Sequence, residues 1–231
     1  VLKPSFPKRK RQSVEAFEAL RNYIVQSGLR VGDLLPPEAR IAQDLNCGKS
    51  SVREALRILE TIGIVEVMHG KGTVVKEFNF SRLFRNLPHG VWINKKEMLE
   101  FFEVRKAIEL FYIDKVLEKI TCKEIIQLEQ IFSLLQKTVD KGSEFHQIDK
   151  KFHLALIRIT GNKTATDLVE VYWNFREESA SSLGITSGKA RQQVLRWHRN
   201  ILKGIKAKDA KRVKAAFEEH FSNVERGLAE T

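Results

Sequence analysis

A chain of 231 residues with 42% hydrophobic content and a formal net charge of +11 can bury the cores of two domains, which excludes disorder. Two cysteines, Cys47 and Cys122, are too few for a disulfide framework and too far apart for a Cys-based zinc ribbon. No apolar run reaches transmembrane length and the basic, Pro-broken start lacks a signal core, so the expected setting is cytoplasmic, without a membrane partner. Basicity makes nucleic acid a candidate partner, but the excess is spread over both halves and does not locate it. The spacing of Gly and Pro predicts a mainly α protein in three parts: residues 1–77, a linker at 78–94 with a short helix near Ser81–Asn86, and an all-helical 95–231.

The cluster Lys8-Arg9-Lys10-Arg11 reads as a solvated tail able to add phosphate contacts. Ser13 is the predicted cap of a first helix with Phe17, Leu20 and Ile24 inward, ended by Gly28. A turn at Val31-Gly32-Asp33 follows. Pro36-Pro37 opens a short second helix with Ile41, Ala42 and Leu45 inward. After the turn Asn46-Cys47-Gly48, a third helix starts near Ser50 and carries Val52, Ala55, Leu56 and Leu59 on one stripe. Two short helices joined by a tight Gly-containing turn make a helix-turn-helix. Lys49, Ser50 and Ser51 crowd the third helix's N-terminus, where free N–H groups and the dipole favour a phosphate. Arg53 and Arg57 lie one turn apart on its outer side, and Arg can read guanine in the major groove. A merely solvated helix would show the same charges. The hairpin that follows has to be explained with them: Ile64–Val67 and Thr73–Lys76 flank Met68-His69-Gly70-Lys71-Gly72, a predicted wing with a cation and a donor at its tip.

Gly32-Asp33, Leu35-Pro36, Glu38, Ile41-Ala42, Ser51-Val52-Arg53-Glu54-Ala55-Leu56, Gly63-Ile64-Val65 and Gly70-Lys71-Gly72 occur in order. Together they resemble the winged helix-turn-helix of the GntR family of bacterial transcription regulators. The resemblance implies DNA contacts from Lys49, Ser50, Ser51 and Arg53 on the recognition helix and from His69 and Gly70 on the wing, and Lys71, the cation of the wing tip, is counted with them. The family has an arginine directly after the glutamate of the second helix. Here Ala39 holds that place and Arg40 follows, and Arg40 is counted with the DNA-contacting set. Gly48 also replaces a small hydroxyl residue.

Beyond residue 95 the periodicity predicts six long helices, roughly 95–119, 121–141, 143–160, 163–184, 188–206 and 208–228. Thr121, Ser143 and Asp209 are cap-like, and Gly142, Gly161-Asn162 and Gly184 are breaks. Polar residues interrupt the apolar stripes. Arg105 lies among Met98, Phe101, Phe102, Ile108 and Tyr112. Asp149 and His153 are one turn apart among Phe145, Ile148, Phe152 and Leu156. His198 and His220 occupy similar places in the last two helices. A lone histidine on such a stripe is usually a hydrogen-bonded core residue. Three of them with one aspartate, converging inside a bundle, make a site suited to a divalent ion such as Zn²⁺ or Ni²⁺.

Glu103-Val104-Arg105 with Glu109, Asp149-Lys150-Lys151-Phe152-His153, Gly161-Asn162, His198 and His220 resemble the FCD effector domain of the FadR subfamily of GntR regulators. The resemblance implies one divalent metal per subunit on Asp149, His153, His198 and His220, and a small organic acid beside it with Arg105 as its clamp. It also implies a homodimer reading a near-palindromic double-stranded operator, a repressor rather than an enzyme. The rival is a metal-dependent hydrolase fused to a DNA-binding module. No HExxH motif supports it, and Glu109, the candidate base, is equally placed to pair with Arg105.

Overall fold

The computed structural model describes residues 8–80, 95–179 and 188–230, which include ten helices and one two-stranded sheet. The chain divides into two compact units, 1–88 and 89–231. The predicted helix at Ser81–Asn86 and the break at Gly184 lie outside the described residues.

The first unit contains α1 (Lys8–Gln26), α2 (Glu38–Asp44), α3 (Lys49–Thr61), β1 (Val65–Met68) and β2 (Gly72–Val75). Helix α1 starts five residues before Ser13, so the basic cluster belongs to it. Lys, Arg and Gln are good helix formers, and nothing between Lys8 and Ser13 breaks the run. Its end is as expected, with Gly28 at φ +65°. Leu20, Val52, Ala55, Leu59 and Val65 form the centre of the core and are almost fully buried. Stripes at i, i+3, i+4 and i+7 on α3 thus meet α1 and α2 on one side.

The hairpin is antiparallel, pairing Val65 with Val75 through Met68 with Gly72. The ladder therefore absorbs Met68 and Gly72, which the sequence assigned to the turn. Gly70 at φ +74° makes the reversal possible. The segment read as a plain turn at 31–33 also joins the wing. Gly32 donates to Val75 O at 2.9 Å, and Leu35 to Thr73 O at 2.8 Å. Side-chain periodicity cannot reveal such a backbone pairing.

The second unit holds α4 (Lys95–Phe111), α5 (Ile113–Lys119), α6 (Cys122–Lys137), α7 (Gly142–Ile159), α8 (Lys163–Ser179), α9 (Gly188–Lys206) and α10 (Ala210–Glu230). The helix expected over 95–119 is two helices. Tyr112 interrupts it at φ −88° and ψ 0°, and its hydroxyl accepts a 2.6 Å bond from Asn162 Nδ2. No Gly or Pro marks that position, so the stripe runs through it unbroken.

Thr121 caps α6 as expected, in a reciprocal capping box with Glu124. Asp209 Oδ1 accepts from Arg212 N at 3.0 Å and so caps α10. Ser143, expected as a cap, lies inside α7, which begins at Gly142. Helix α4 packs on α8 and α10, α7 on α6 and α8, and α9 on α10 and α6. The faces of α4, α7, α8, α9 and α10 thereby enclose one interior.

The α9–α10 crossing is close because of Gly204. A Cβ there would stand 2.7 Å from Val213 Cγ2 and 3.1 Å from Val213 N. Gly204→Ala is expected to lower stability by about 1–3 kcal/mol through overpacking, seen as a lower denaturation midpoint. An unchanged midpoint would mean that the two helices part at no cost.

Candidate metal centre and DNA-binding face

On α4 the inward stripe is Met98, Phe102, Arg105 and Glu109, all buried. A charged pair therefore sits on the core face, where it must find partners. Arg105 Nε donates to Glu109 Oε1 at 2.5 Å, and the guanidinium stacks over the rings of Trp173 at 4.4 Å and Tyr172 at 4.8 Å. The other carboxylate oxygen, Glu109 Oε2, lies 2.5 Å from His153 Nδ1. Burial opposes both charges, but their mutual attraction keeps Arg105 above and Glu109 below its ordinary pKa. The Arg105–Glu109 pair weighed in the sequence is thus formed, and Glu109 bridges onward to a histidine.

Helix α7 brings His153 and Asp149 inward one turn apart, between Phe145, Phe152 and Leu156. Helix α9 supplies His198 and α10 supplies His220, and the three imidazoles are 0–1% exposed. One ring nitrogen from each of His153, His198 and His220 lies within 4.8 Å of the others. Asp149 Oδ1 is 3.0 Å from His198 Nε2 and 3.6 Å from His153 Nε2. Its second oxygen, Oδ2, is 3.6 Å from Arg176 Nη1.

His198 Nδ1 donates to Val194 O at 2.9 Å, so Nε2 is the nitrogen left to face Asp149. His153 donates at Nδ1 to Glu109 and likewise presents Nε2. Burial pushes His153 down to about 4 against the opposing pull of Glu109. Burial, reinforced by the neighbouring His198 and His153, lowers His220 far below its usual value. Burial favours a neutral Asp149, but His198, His153 and Arg176 outweigh it and hold the carboxyl well below its usual range.

Asp149 Oδ1 and His198 Nε2 approach closely, and neither has a hydrogen-bond partner. His153 Nε2 and both nitrogens of His220 are also buried without one. Such atoms cost about 1–3 kcal/mol each when left unmatched. One cation can take Asp149 Oδ1, Nε2 of His153 and of His198, and one nitrogen of His220. Ligands about 2.0–2.2 Å from one ion stand about 3.0–3.6 Å from each other at octahedral to tetrahedral angles. The two Asp149–histidine distances fall in this range, and three imidazoles with one carboxylate fit a divalent metal on the chemistry of the donor set.

Three neighbours escaped the sequence reading. Arg176 stands on an α8 stripe with Val169, Tyr172 and Trp173, in the same way as Arg105 on α4. That parallel was the available signal. The bridge from Glu109 to His153 had none, because their helices are remote in sequence. A small apolar pocket of about 20 Å³, lined by Ile113, Leu156, Ile205, Val213 and Phe217 among others, reaches Glu109.

In the first unit, Lys49, Ser50 and Arg53 of α3 are exposed, as are His69, Gly70 and Lys71 of the wing. Ser51 is not with them. It is 3% exposed, turned into the core one residue before Val52, and offers no surface to DNA. Its place in the first turn, beside the buried stripe, is the reason. Arg53 Nη2 bonds Glu38 Oε2 at 2.9 Å, which raises its pKa, and Arg40 Nε bonds Asp44 Oδ1 at 2.9 Å. Both pairs are exposed, so they hold the side chains only weakly.

Residues 12–75 match the family of bacterial regulatory proteins called gntR, and residues 100–223 match the FCD domain. The chain belongs to the GntR family and carries an FCD domain. This GntR regulator is similar to the Uxu operon transcriptional regulator of Escherichia coli strain K12, 28% identical over 91% of this chain and 84% of that protein. It is also similar to the transcriptional regulator LutR of Bacillus subtilis, 26% identical over 85% and 92% of the two chains. A repressor, NanR of Edwardsiella tarda, is 28% identical over 67% of this chain and 60% of its own. Among solved structures, Streptococcus agalactiae GntR superposes with a TM-score of 0.66 at 25% identity, covering 93% of this chain and 99% of that one. The regulator's class follows: DNA binding through the winged helix and effector binding through the FCD domain. No described helix is long and apolar enough to cross a membrane.

Proposed function

We propose that this regulator is a homodimeric repressor of the FadR subfamily, acting in the cytoplasm on a near-palindromic operator. It binds one Zn²⁺ or Ni²⁺ per subunit on Asp149, His153, His198 and His220, and leaves DNA when a small organic acid joins that metal. The observation that carries the reading is the set of unmatched donor atoms on these four buried residues. One carboxylate against a divalent cation leaves a net positive site, and Arg105 keeps Nη2 without a partner beside it. An organic acid supplies the missing negative charge and acceptors. Repression is the sense of the NanR relative's name.

The domain is a binding module in this reading, not a hydrolase. Glu109, the one candidate base, is bound to Arg105 and to the outer nitrogen of His153. On the DNA side the contacts are Lys49, Ser50, Arg53, His69, Gly70 and Lys71, with Arg40 at the flank. DNA has to take Arg53 from Glu38, which an exposed pair allows.

The test is anisotropy on an operator fragment at fixed salt. Arg53→Ala is expected to weaken binding tenfold or more with an unchanged melt. Metal-loaded protein should release the DNA when titrated with a panel of small carboxylates, and metal-stripped protein should not. Release by none of them, or release independent of metal, would overturn the reading.

A further inference from the structure

Much of the chain's positive charge is concentrated in one stretch of the second unit. Between residues 191 and 214, nine Lys and Arg stand against Asp209 alone, a net +8 in a chain whose total is +11. This stretch is the body of α9, the turn after it and the start of α10. Arg196, Arg199, Lys203 and Lys206 follow one another at i, i+3, i+7 and i+10, which sets them on one face of α9. All four are exposed, and Lys208, Lys211 and Arg212 continue the exposed charge around the turn. Lys206 pairs with Glu129, and Lys214 at the edge pairs with Asp114. Arg196, Arg199, Lys203, Lys208, Lys211 and Arg212 have no acidic partner among the described residues.

Helix energetics account for only part of this. Lys203 and Lys206 stand in the last turn of α9, where the helix dipole favours a cation. Lys211 and Arg212 stand in the first turn of α10, which holds no acid and where the dipole disfavours a cation. Lys208 takes a left-handed φ of +51°, a place that favours Gly or Asn. The sequence thus keeps cations at three positions that helix stability alone would give to other residues, and it leaves all three without counter-ions.

The surroundings select the kind of partner. A helix that lies in a membrane surface sets Trp, Phe or Leu beside its cations. A protein interface is anchored by aromatic or other apolar side chains. None of the described exposed large hydrophobic residues falls between 191 and 214. Gln192, Asn200 and Ala207 stand between the cations instead. Such a face offers charge and little else, which suits a partner recognised by charge alone. From Arg196 to Lys206 the stripe spans about 15 Å of helix, and duplex DNA presents one phosphate charge about every 1.7 Å along its axis. We infer that the α9–α10 face is a second DNA-binding surface, which holds the phosphate backbone of a duplex without reading its bases and acts in addition to the winged helix. It requires neither the metal nor the acid proposed above.

The experiment is fluorescence anisotropy of the whole chain on a random-sequence duplex of about 60 bp, between about 50 and 200 mM salt. Replacing Arg196→Gln, Lys203→Gln and Lys211→Gln together is expected to weaken binding tenfold or more at the low-salt end and to reduce the salt slope by about 2–3. A control that removes the same charge from exposed residues elsewhere in the unit, Lys123→Gln, Lys151→Gln and Arg158→Gln, should lose threefold or less. The charge-conserving set Arg196→Lys, Lys203→Arg and Lys211→Arg should bind as the wild type does, which tells lost charge from a local disturbance. In an Arg53→Ala background the first set should still weaken binding, since the two surfaces act separately. Equal losses in the first set and the control would overturn the inference, leaving only a contribution to the general field. No loss in either, or a charge-conserving set that binds as poorly as the first, would also overturn it. Lost binding to phosphatidylglycerol vesicles with DNA binding intact would overturn it in favour of a membrane surface.

Discussion

Stripping the protein with a chelator is expected to lower its Tm by on the order of 10 °C, and added Zn²⁺ is expected to restore it. The proposed ion would tie α7, α9 and α10 through donor atoms that have no other partner. It binds the folded chain and not the unfolded one, so it stabilises by mass action. At a thousandfold excess over Kd the gain is about 4 kcal/mol. For a chain of this size, each kcal/mol moves Tm by about 2–4 °C. His220→Ala removes one ligand and should abolish the response to zinc, whatever it does to the melt of the metal-free protein. Four separately satisfied polar residues would behave differently: no metal by elemental analysis, and a Tm indifferent to chelator, Zn²⁺ and Ni²⁺.

The second large effect is expected at Glu109. Its carboxylate holds His153 at the nitrogen facing away from the proposed metal, which fixes the tautomer and raises the basicity of the ligating side. Glu109→Gln should therefore weaken zinc binding about 10–100-fold, read by competition with a chromophoric chelator. The same change strands the buried Arg105 charge, so stability should fall by about 3–5 kcal/mol. The two effects are separable. Replacing Arg105→Met together with Glu109→Gln removes the stranded charge and should recover part of the stability. Zinc affinity should stay low in that double variant. Recovery of both would reduce Glu109 to a structural counter-ion of Arg105.

Much of this arrangement was legible in the sequence because periodicity reports which face of a helix turns inward. His153, His198, His220, Asp149 and Arg105 each stand where an apolar side chain is expected, and all five are buried in the second unit. The recognition helix was legible for the same reason, from Val52, Ala55, Leu56 and Leu59. Periodicity is silent on what faces what. It could not pair Glu109 with His153, or bring Trp173 under Arg105, since those contacts depend on the packing of α4 against α7 and α8. It also overlooked the break at Tyr112, where the backbone leaves the helix at a residue that propensity would continue through and whose hydroxyl bonds Asn162. Ser51 shows the opposite error. The family motif counted it among the DNA contacts, and its position next to Val52 turns it inward.

The bridge from Arg105 through Glu109 to His153 has one further meaning. Helix α4 contributes no ligand to the proposed ion, yet it grips the back of one that does. It is also the first described helix after the DNA-binding unit in chain order. An acid that meets Arg105 would therefore act on α4, and not on a distant rim of the bundle. If the acid does release the operator, as proposed, occupancy at the centre and affinity for DNA are two ends of one equilibrium. Whatever factor the acid imposes on operator binding, the operator must impose on acid binding.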